Sequence, residues 1–172
     1  LGEAGRGLEL SELIDFNGHF LTMDDRSGIV YELHNTTLRA NEKKPGGATG
    51  AGGTRGAGAG AGGNGTMMSG STMTAVPRDI VMEGDGNTNK GAKLEWLTVK
   101  DGILYLGSFG KEYVKGGKIT GKTALWVTML DAQRRIRHVD WSRQYEAMRK
   151  ACGASYPGYL IHEAGVWSEV HR

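Results

Sequence analysis

Short runs in which apolar and polar side chains alternate dominate this chain, and a two-residue period is typical of half-buried β-strands. Asn17-Gly18 and Asp101-Gly102 each join two such runs, which predicts hairpins because Asn, Asp and Gly tolerate positive φ. The pattern therefore predicts an all-β fold. The predicted strands are residues 9–16, 19–23, 29–33, 94–99, 103–107, 124–130 and 158–167.

Residues 140–153 form the one stretch with a helical period. Apolar side chains recur there every three or four residues, at Trp141, Tyr145, Met148 and Cys152. Gly153 suits the end of such a helix because it tolerates the left-handed conformation of a helix C-cap. We therefore expect one helix in a chain built mainly of strands.

A glycine-rich segment interrupts the predicted strands. Residues 46–70 hold 12 glycines in 25 positions, and glycine at this density loses much backbone entropy on ordering while it offers little to bury. We interpret residues 41–76 as a flexible loop insertion within a single domain that spans residues 1–172. A phosphate-binding glycine loop is the alternative, but no GK[ST] ending accompanies the glycines.

Composition and charge argue against two classes of protein. The 172 residues carry a net charge of +2, whereas a nucleic-acid binder needs a strongly basic surface. The one basic run, residues 133–138, is interpreted as a solvated face. No stretch approaches the roughly 18 apolar residues of a membrane span. The single cysteine excludes a disulfide within the chain, and two sequons, at Asn35 and Asn64, permit N-glycosylation in a secreted protein.

Three segments of the chain repeat one arrangement. Ser11 stands six residues before Asn17, Glu95 stands six before Asp101, and a third segment begins at Glu163. Repeated antiparallel meanders of this kind indicate a β-propeller, whose blades present equivalent positions to a central channel. A closed propeller needs at least about four blades. We expect only about two to three of them in this chain.

The repeated positions carry side-chain oxygens. If Ser11, Glu95 and Glu163 all point to the axis, the two carboxylates repel each other unless a cation lies between them. Carboxylate, hydroxyl and carbonyl oxygens suit Ca²⁺, whereas zinc calls for His or Cys. Each residue taken alone is more readily explained as structural. Taken as a matched set, the three favour a calcium site.

Residues 5–33, 83–113 and 140–169 resemble the soluble calcium-activated nucleotidase (apyrase) family. The resemblance covers nearly the whole chain outside the insertion. It implies a five-bladed propeller with a central Ca²⁺ that hydrolyses nucleoside di- and triphosphates of the UDP, GDP and ADP type. Its calcium ligands fall on Ser11, Glu95 and Glu163, and its remaining ligands lie in blades that this chain lacks.

The same resemblance identifies candidate catalytic and substrate-binding residues. An acidic-basic turn matches at Asp24, Asp25 and Arg26, and a Gly-Lys-Glu segment matches at residues 110–112, followed by Tyr113 where the family usually has Trp.

The family reaction is attack by water on a terminal phosphoryl group. In this reaction Arg26 and Lys111 are candidates to hold phosphate oxygens, and Tyr113 is a candidate substrate contact. Asp25 or Glu112 is expected to orient or deprotonate the water. The structural alternatives are an Arg26–Asp24 pair and a surface Lys111–Glu112 pair.

Other chemistry-bearing residues are assigned to packing. His162 is turned away from the channel if Glu163 faces it, because side chains alternate along a strand. The tryptophans are interpreted as core between blades, at Trp96, Trp126 and Trp167.

The leading hypothesis is a calcium-dependent nucleotidase of the secretory pathway (ER or Golgi lumen) or the extracellular space. A homodimer is a candidate assembly. The competing hypothesis is a non-catalytic propeller that calcium stabilises for protein interaction. We expect these 172 residues alone to be inactive, because their site is incomplete.

Overall fold

The computed structural model describes residues 7–37, 71–158 and 161–171. Residues 1–34 and 75–172 form one compact unit, and residues 35–74 form a second. A 3₁₀ turn occupies Thr123–Leu125 and a single helix, α1, occupies Ser142–Ala151. The strands are β1 Leu10–Phe16, β2 His19–Asp24, β3 Ile29–Thr37, β4 Ser71–Ile80, β5 Trp96–Lys100, β6 Ile103–Gly107, β7 Tyr113–Lys115, β8 Lys118–Gly121, β9 Trp126–Leu130 and β10 Ile136–Asp140.

The strands form two four-stranded sheets and a separate hairpin. The first sheet has the order β1-β2-β3-β4, the second has the order β10-β9-β6-β5, and β7 pairs with β8. The pairs with a defined register are antiparallel. The prediction of an all-β fold is therefore confirmed, with one helix added to open antiparallel sheets.

Both predicted hairpins are present. Asn17 and Gly18 have φ of 55° and 78°, and Asp101 and Gly102 have φ of 52° and 72°. Two consecutive positive φ values define the type I′ turn, whose twist matches that of the flanking strands. The turn residues thus set the strand pairing of β1 with β2 and of β5 with β6.

The main apolar core takes side chains from both sheets. Met23 and Val30 of the first sheet lie in one buried cluster with Leu97 and Leu104 of the second. Complete burial of a side chain of this size stabilises the fold by about 1.5–3 kcal/mol. This core fixes β5 and the loop before it, which carry the residues of the candidate site.

Helix α1 confirms the predicted helix, but its buried face differs from the expected one. Tyr145 is fully buried as expected, whereas Met148 and Cys152 are exposed. Arg149 is buried instead, at 4% exposure, because its guanidinium pairs with Glu112. Gly153 follows the helix with φ of 67°, the left-handed conformation expected of a C-cap residue.

The predicted strand at residues 158–167 is wrong over residues 161–167, which have no regular structure. Their backbone makes isolated hydrogen bonds to other segments. His162 N–H donates to Phe109 O at 3.2 Å, and Trp167 N–H donates to Thr98 Oγ1 at 2.7 Å. A strand needs a ladder of backbone bonds along a partner strand. No such partner lies beside this segment in the described part of the chain.

Four strands were not predicted, namely β4, β7, β8 and β10. Strand β4 begins at Ser71, so the last residues of the interval 41–76 are strand, and residues 38–70 lie outside the described ranges. Strand β10 overlaps the basic run, whose residues 133–137 are exposed as expected of a solvated face.

No helix in the described ranges is long and apolar enough to cross a bilayer.

Candidate functional site

Two predicted calcium ligands and two predicted substrate-binding residues border one cavity. The cavity has a volume of about 280 Å³ and lies where the loop before β5, the loop after β6 and the segment around Glu163 meet. Its walls are Lys93, Glu95, Phe109, Lys111, Tyr113, Ile161 and Glu163. Acidic and basic side chains at one cavity can hold a cation and a phosphate group next to each other.

Glu95 is the buried carboxylate of this cavity, at 8% exposure. Burial raises its pKa, the Lys93 ammonium opposes that rise, and the negative charges of Glu163 and Asp25 add to it. Lys93 forms ion pairs with Glu95 and, at 3.5 Å from Oδ2, with Asp25. Glu163 and Asp25 thus each repel the charge of Glu95, and a bound cation would relieve that repulsion.

Asp25 has an oxygen that no donor satisfies. Its side chain is 18% exposed, and its Oδ1 atom is buried with no hydrogen-bond partner. The Arg26 Nε atom lies 3.9 Å from Oδ1. A buried carboxylate oxygen without a donor carries a desolvation cost, which a metal ion or a bound water can offset.

Arg26 lies on the exposed side of the same turn. Its Nε donates to Glu9 Oε2 at 2.8 Å, so its main partner is Glu9 and not Asp24, the partner considered in the structural alternative. Asp24 is 2% exposed and accepts hydrogen bonds from the backbone of Glu9 and from Ser27. Asp24 therefore holds the turn together, Arg26 faces outward, and Asp25 is partly buried between them.

We expect the Asp24→Asn variant to lose about 1–3 kcal/mol of unfolding free energy at neutral pH, because the amide turns an NH₂ donor toward N–H donors. Burial raises the pKa of Asp24, but the hydrogen bonds from Ser27 and Glu9 outweigh burial and lower it below 3.8. Its stabilisation is therefore present above that pH and is lost as pH falls through the folded-state value. Urea unfolding at pH 7 and pH 3 measures the difference, which should shrink at pH 3. An equal difference at both pH values would contradict this role.

Glu112 is held by a buried arginine. Arg149 Nη1 and Nη2 donate to its two carboxylate oxygens at 2.8 and 3.2 Å. The hydrogen bond from Arg149 lowers the pKa of Glu112, although burial opposes the shift. The Glu112 side chain is 11% exposed, so the surface Lys111–Glu112 pair considered as an alternative does not describe it. A carboxylate engaged in this way is a poor acceptor for a proton from water.

Lys111 and Tyr113 flank the cavity beside Phe109. The ammonium groups of Lys93 and Lys111 lie 5.8 and 5.9 Å from the centre of the Phe109 ring. The Tyr113 ring meets the same phenyl ring edge-on at 5.4 Å. The Tyr113 hydroxyl donates to Glu83, and burial, together with Glu83, raises its pKa. Tyr113 is therefore a neutral side chain that borders a region of positive charge.

Ser11 does not share the register of Glu95, because β1 contains a bulge. Ser11 pairs with Met23 and Ile14 pairs with Leu21, so β1 holds one residue more than its partner over this interval. Glu12, in the bulge, has φ of 58°. Counted from the turn, Ser11 lies at the level of Trp96 and not of Glu95, and it is not among the residues that border the cavity.

The strand of Ser11 nevertheless lies beside β5. Glu12 Oε2 accepts a hydrogen bond from Leu97 N–H at 3.1 Å, which ties the bulge to the strand that follows Glu95. The Thr22 hydroxyl lies 3.2 Å from Ser11 O and 2.7 Å from Glu12 O, so both bulge carbonyls point to one side. The bulge is a local feature that six-residue spacing does not reveal.

The donor chemistry of the cavity suits a hard divalent cation, but the ligand set is partial. Glu95 and Glu163 border one cavity, and Asp25 has an unsatisfied oxygen next to Lys93, which also pairs with Glu95. Within the described ranges no three carboxylate, histidine or cysteine side chains are grouped closely enough to hold a metal. The residues present therefore fit part of an oxygen-rich site.

Sequence reasoning missed Lys93 and Phe109. Lys93 stands two residues before Glu95, and a two-residue period places both side chains on one face of extended chain. That Lys-x-Glu spacing was the available signal. Phe109 has no such signal, because its role depends on a loop conformation.

Of the residues assigned to packing, His162 and Trp96 are found in such contacts, whereas Trp126 and Trp167 are only half-buried and lie outside the core clusters. The His162 ring lies 4.9 Å from the Tyr145 ring, and Trp96 is 6% exposed in the second core cluster. The Lys100 ammonium lies 4.6 Å from the Trp167 ring centre.

Comparison with known proteins places the chain in a family. The family model described as Apyrase matches residues 1–46 and 63–172, and the chain belongs to the apyrase family. The unmatched residues lie within the glycine-rich segment. The resemblance found in the sequence is thereby confirmed.

Three curated relatives match nearly the whole chain. They are the soluble calcium-activated nucleotidase 1 of Rattus norvegicus (35% identity over 99% of this chain and 33% of the relative), the apyrase of Cimex lectularius (34%, 98% and 36%) and the apyrase apy-1 of Caenorhabditis elegans (33%, 100% and 38%). The chain thus spans about a third of the length of these relatives.

Proposed function

We propose that the protein containing this chain hydrolyses nucleoside di- and triphosphates of the UDP, GDP and ADP type in a calcium-dependent reaction. A diphosphate would yield the nucleoside monophosphate and phosphate. The observation that carries the proposal is the cavity in which Glu95 and Glu163 lie beside Lys93 and Lys111. Membership of the apyrase family and the names of the relatives support the same reaction.

We assign the chain to part of a five-bladed β-propeller. In its first sheet four strands follow one another in sequence order, and each of the two larger sheets has the four strands of one blade. The interior edges would be β1 and β5, since each is the first strand of its sheet and Glu12 joins them. The segment around Glu163 would then begin a third blade.

The calcium ligands we propose are Glu95, Glu163 and Ser11, with further ligands outside this chain. Glu95 and Glu163 would contribute charged oxygens at the cavity, and Ser11, on the strand that Glu12 ties to β5, would contribute an oxygen from β1. When bound, calcium would neutralise phosphate oxygens and the charge that develops on the leaving group. Burial raises the pKa of Glu95 and the negative charges of Glu163 and Asp25 add to that rise, which supports an oxygen site that a cation would complete.

Lys111, Lys93 and Arg26 are the proposed phosphate-binding residues. Lys111 and Lys93 border the cavity and share the Phe109 ring, so a phosphate group between them would meet two ammonium groups. Arg26 carries a planar fork suited to two phosphate oxygens, and it would exchange Glu9 for the substrate. Tyr113 is proposed to contact the nucleoside, since its ring borders the same cavity.

Asp25 is the proposed water-orienting residue. Water would attack the terminal phosphorus, the bond to the bridging oxygen would break, and the proton of the water would pass to the Asp25 carboxylate. The unsatisfied Oδ1 of Asp25 supports this choice over Glu112, whose two oxygens already accept hydrogen bonds from Arg149. Glu112 then contributes through the position of Lys111.

We place the protein in the secretory pathway (ER or Golgi lumen) or outside the cell, with N-glycosylation at the two sequons. The name of the rat relative describes a soluble enzyme, and in the described part of this chain no helix could cross a bilayer. We keep the homodimer as the proposed assembly. We also expect the isolated 172 residues to be inactive, because they hold only part of the proposed ligand set.

Phosphate release tests the proposal directly. The full-length protein is incubated with UDP, GDP and ADP in calcium or in excess chelator, and phosphate is measured over time. We expect release in calcium and none in chelator. Calcium that raises the thermal unfolding temperature without any release would instead identify the non-catalytic scaffold.

We expect the Lys93→Met variant to bind calcium more tightly, by about tenfold, because an ammonium beside Glu95 repels the incoming cation. Isothermal titration of the full-length protein with calcium measures the affinity. Lys118→Met, on the exposed hairpin of β7 and β8, is the matched control and should leave the affinity unchanged. Weaker binding by Lys93→Met would show that Lys93 supports the site and does not compete with the ion.

A further inference from the structure

The loop that carries Lys111 is held from behind by helix α1. Arg149 of that helix donates two hydrogen bonds to Glu112, the residue after Lys111. The Tyr145 hydroxyl donates to Ser108 O at 3.3 Å, three residues before Lys111. Both helical side chains are buried, Tyr145 at 0% and Arg149 at 4% exposure. The two contacts bracket Lys111 on either side.

Gly110 makes this contact possible. It has φ of 67°, and a Cβ atom at this position would lie 2.4 Å from Cε1 of Tyr145 and 2.6 Å from Cδ2 of His162. The loop backbone therefore packs directly against two rings, with no room for a side chain between them. His162 N–H also donates to Phe109 O, so the segment that carries Glu163 is tied to the same loop.

Lys111 and Arg149 lie on different sides of the loop, so their roles are different. Lys111 borders the cavity with Glu95 and Glu163, whereas Arg149 is not among the residues that border it. Arg149 Nη1 and Nη2 donate to Glu112, and we assign this pair to support of the loop and not to phosphate at the cavity. A bidentate arginine–carboxylate pair has a fixed geometry, so it can define the position of the residue between two such contacts.

We infer that Arg149 is a positioning residue, which holds Glu112 and thereby sets the place of Lys111 relative to Glu95 and Glu163. The expected effect of Arg149 on substrate binding rests on the proposed function. The claim that Arg149 fixes the loop rests only on the contacts described above. It assigns to α1 a task besides core packing. The helix holds the proposed phosphate-binding loop in place from behind, so that Lys111 keeps the position that substrate binding needs.

Arg149→Lys is the main test, because it keeps the positive charge opposite Glu112 and removes the two-bond fork. In the full-length protein we expect its kcat/KM for UDP to fall about tenfold, mainly through a higher KM, since Lys111 holds substrate phosphate from a displaced position. Arg143→Lys, on the exposed face of the same helix, should keep kcat/KM within about twofold of wild type. Equal activity of the two variants would overturn the inference.

A double variant guards against a folding defect. Arg149→Met with Glu112→Leu replaces the buried pair by apolar side chains, which proteins often tolerate, whereas loss of Arg149 alone leaves a buried carboxylate unpaired. We expect the double variant to fold and to show the same rise in KM. Wild-type KM in a folded double variant would overturn the inference.

A measurement of backbone dynamics tests the positioning role of Arg149 separately from the proposed nucleotidase function. In the full-length protein, ¹⁵N relaxation should give order parameters near 0.85 for residues 110–112 and values below about 0.6 in Arg149→Lys. A wild type that releases no phosphate would refute the proposed function, and the order parameters would still decide whether Arg149 holds the loop. Unchanged order parameters in Arg149→Lys would refute its positioning role.

Discussion

Asp25→Asn is expected to reduce kcat for UDP hydrolysis by about 10²–10⁴-fold, the range that a positioned general base contributes. The structure explains the choice of residue, because Asp25 Oδ1 is buried and accepts no hydrogen bond, and Asp25 Oδ2 lies 3.5 Å from Lys93, which borders the cavity. An asparagine keeps the size of the side chain but cannot take the proton of the attacking water. Steady-state phosphate release by the full-length variant measures the loss.

Two controls separate chemistry from folding in that experiment. Asp101→Asn changes an exposed turn aspartate, and Asn suits its positive φ, so we expect wild-type turnover. The unfolding temperature of Asp25→Asn should change little, because the variant loses no hydrogen bond to Oδ1 and only the partly exposed ion pair of Oδ2 with Lys93. Turnover within threefold of wild type would exclude Asp25 as the base and return that role to Glu112.

Glu163→Gln is expected to weaken calcium binding on the order of 10²-fold, because the affinity of an oxygen site depends strongly on the number of charged ligands. Glu163 borders the cavity with Glu95, and its charge raises the pKa of Glu95. With Gln in its place, one source of that repulsion and one charged ligand are lost together. Calcium titration of the full-length protein measures the affinity directly.

The matched control for this variant is Glu146→Gln, which changes an exposed glutamate on α1. We expect its calcium affinity to equal that of wild type. The half-maximal calcium concentration for phosphate release should rise in parallel for Glu163→Gln. An unchanged affinity in Glu163→Gln would remove Glu163 from the ligand set.

Local patterns predicted most of the fold. The two-residue period located β1, β2, β5 and β6, and the Asn-Gly and Asp-Gly pairs located their turns, because these signals depend only on neighbouring residues. The strand at residues 161–167 was wrong because a strand needs a partner, and a single run of sequence carries no information on pairing. Contacts with distant parts of the chain determine whether such a run becomes a strand.

At the candidate site too, the sequence predicted some residues and missed others whose roles depend on tertiary contacts. Glu95 and Glu163 were predicted from repeated positions and meet at one cavity. The matched register of Ser11 failed, because a bulge at Glu12 adds a residue that spacing alone does not show. Arg149 escaped prediction because a buried arginine is explained only by its distant partner, Glu112.

A crystal structure of the full-length protein grown in calcium tests the central claim most directly. We expect an anomalous calcium peak about 2.3–2.6 Å from carboxylate oxygens of both Glu95 and Glu163. Lys93 should then have moved away from Glu95, toward the space that phosphate would occupy. A calcium peak elsewhere, with the Lys93–Glu95 ion pair intact, would contradict the account.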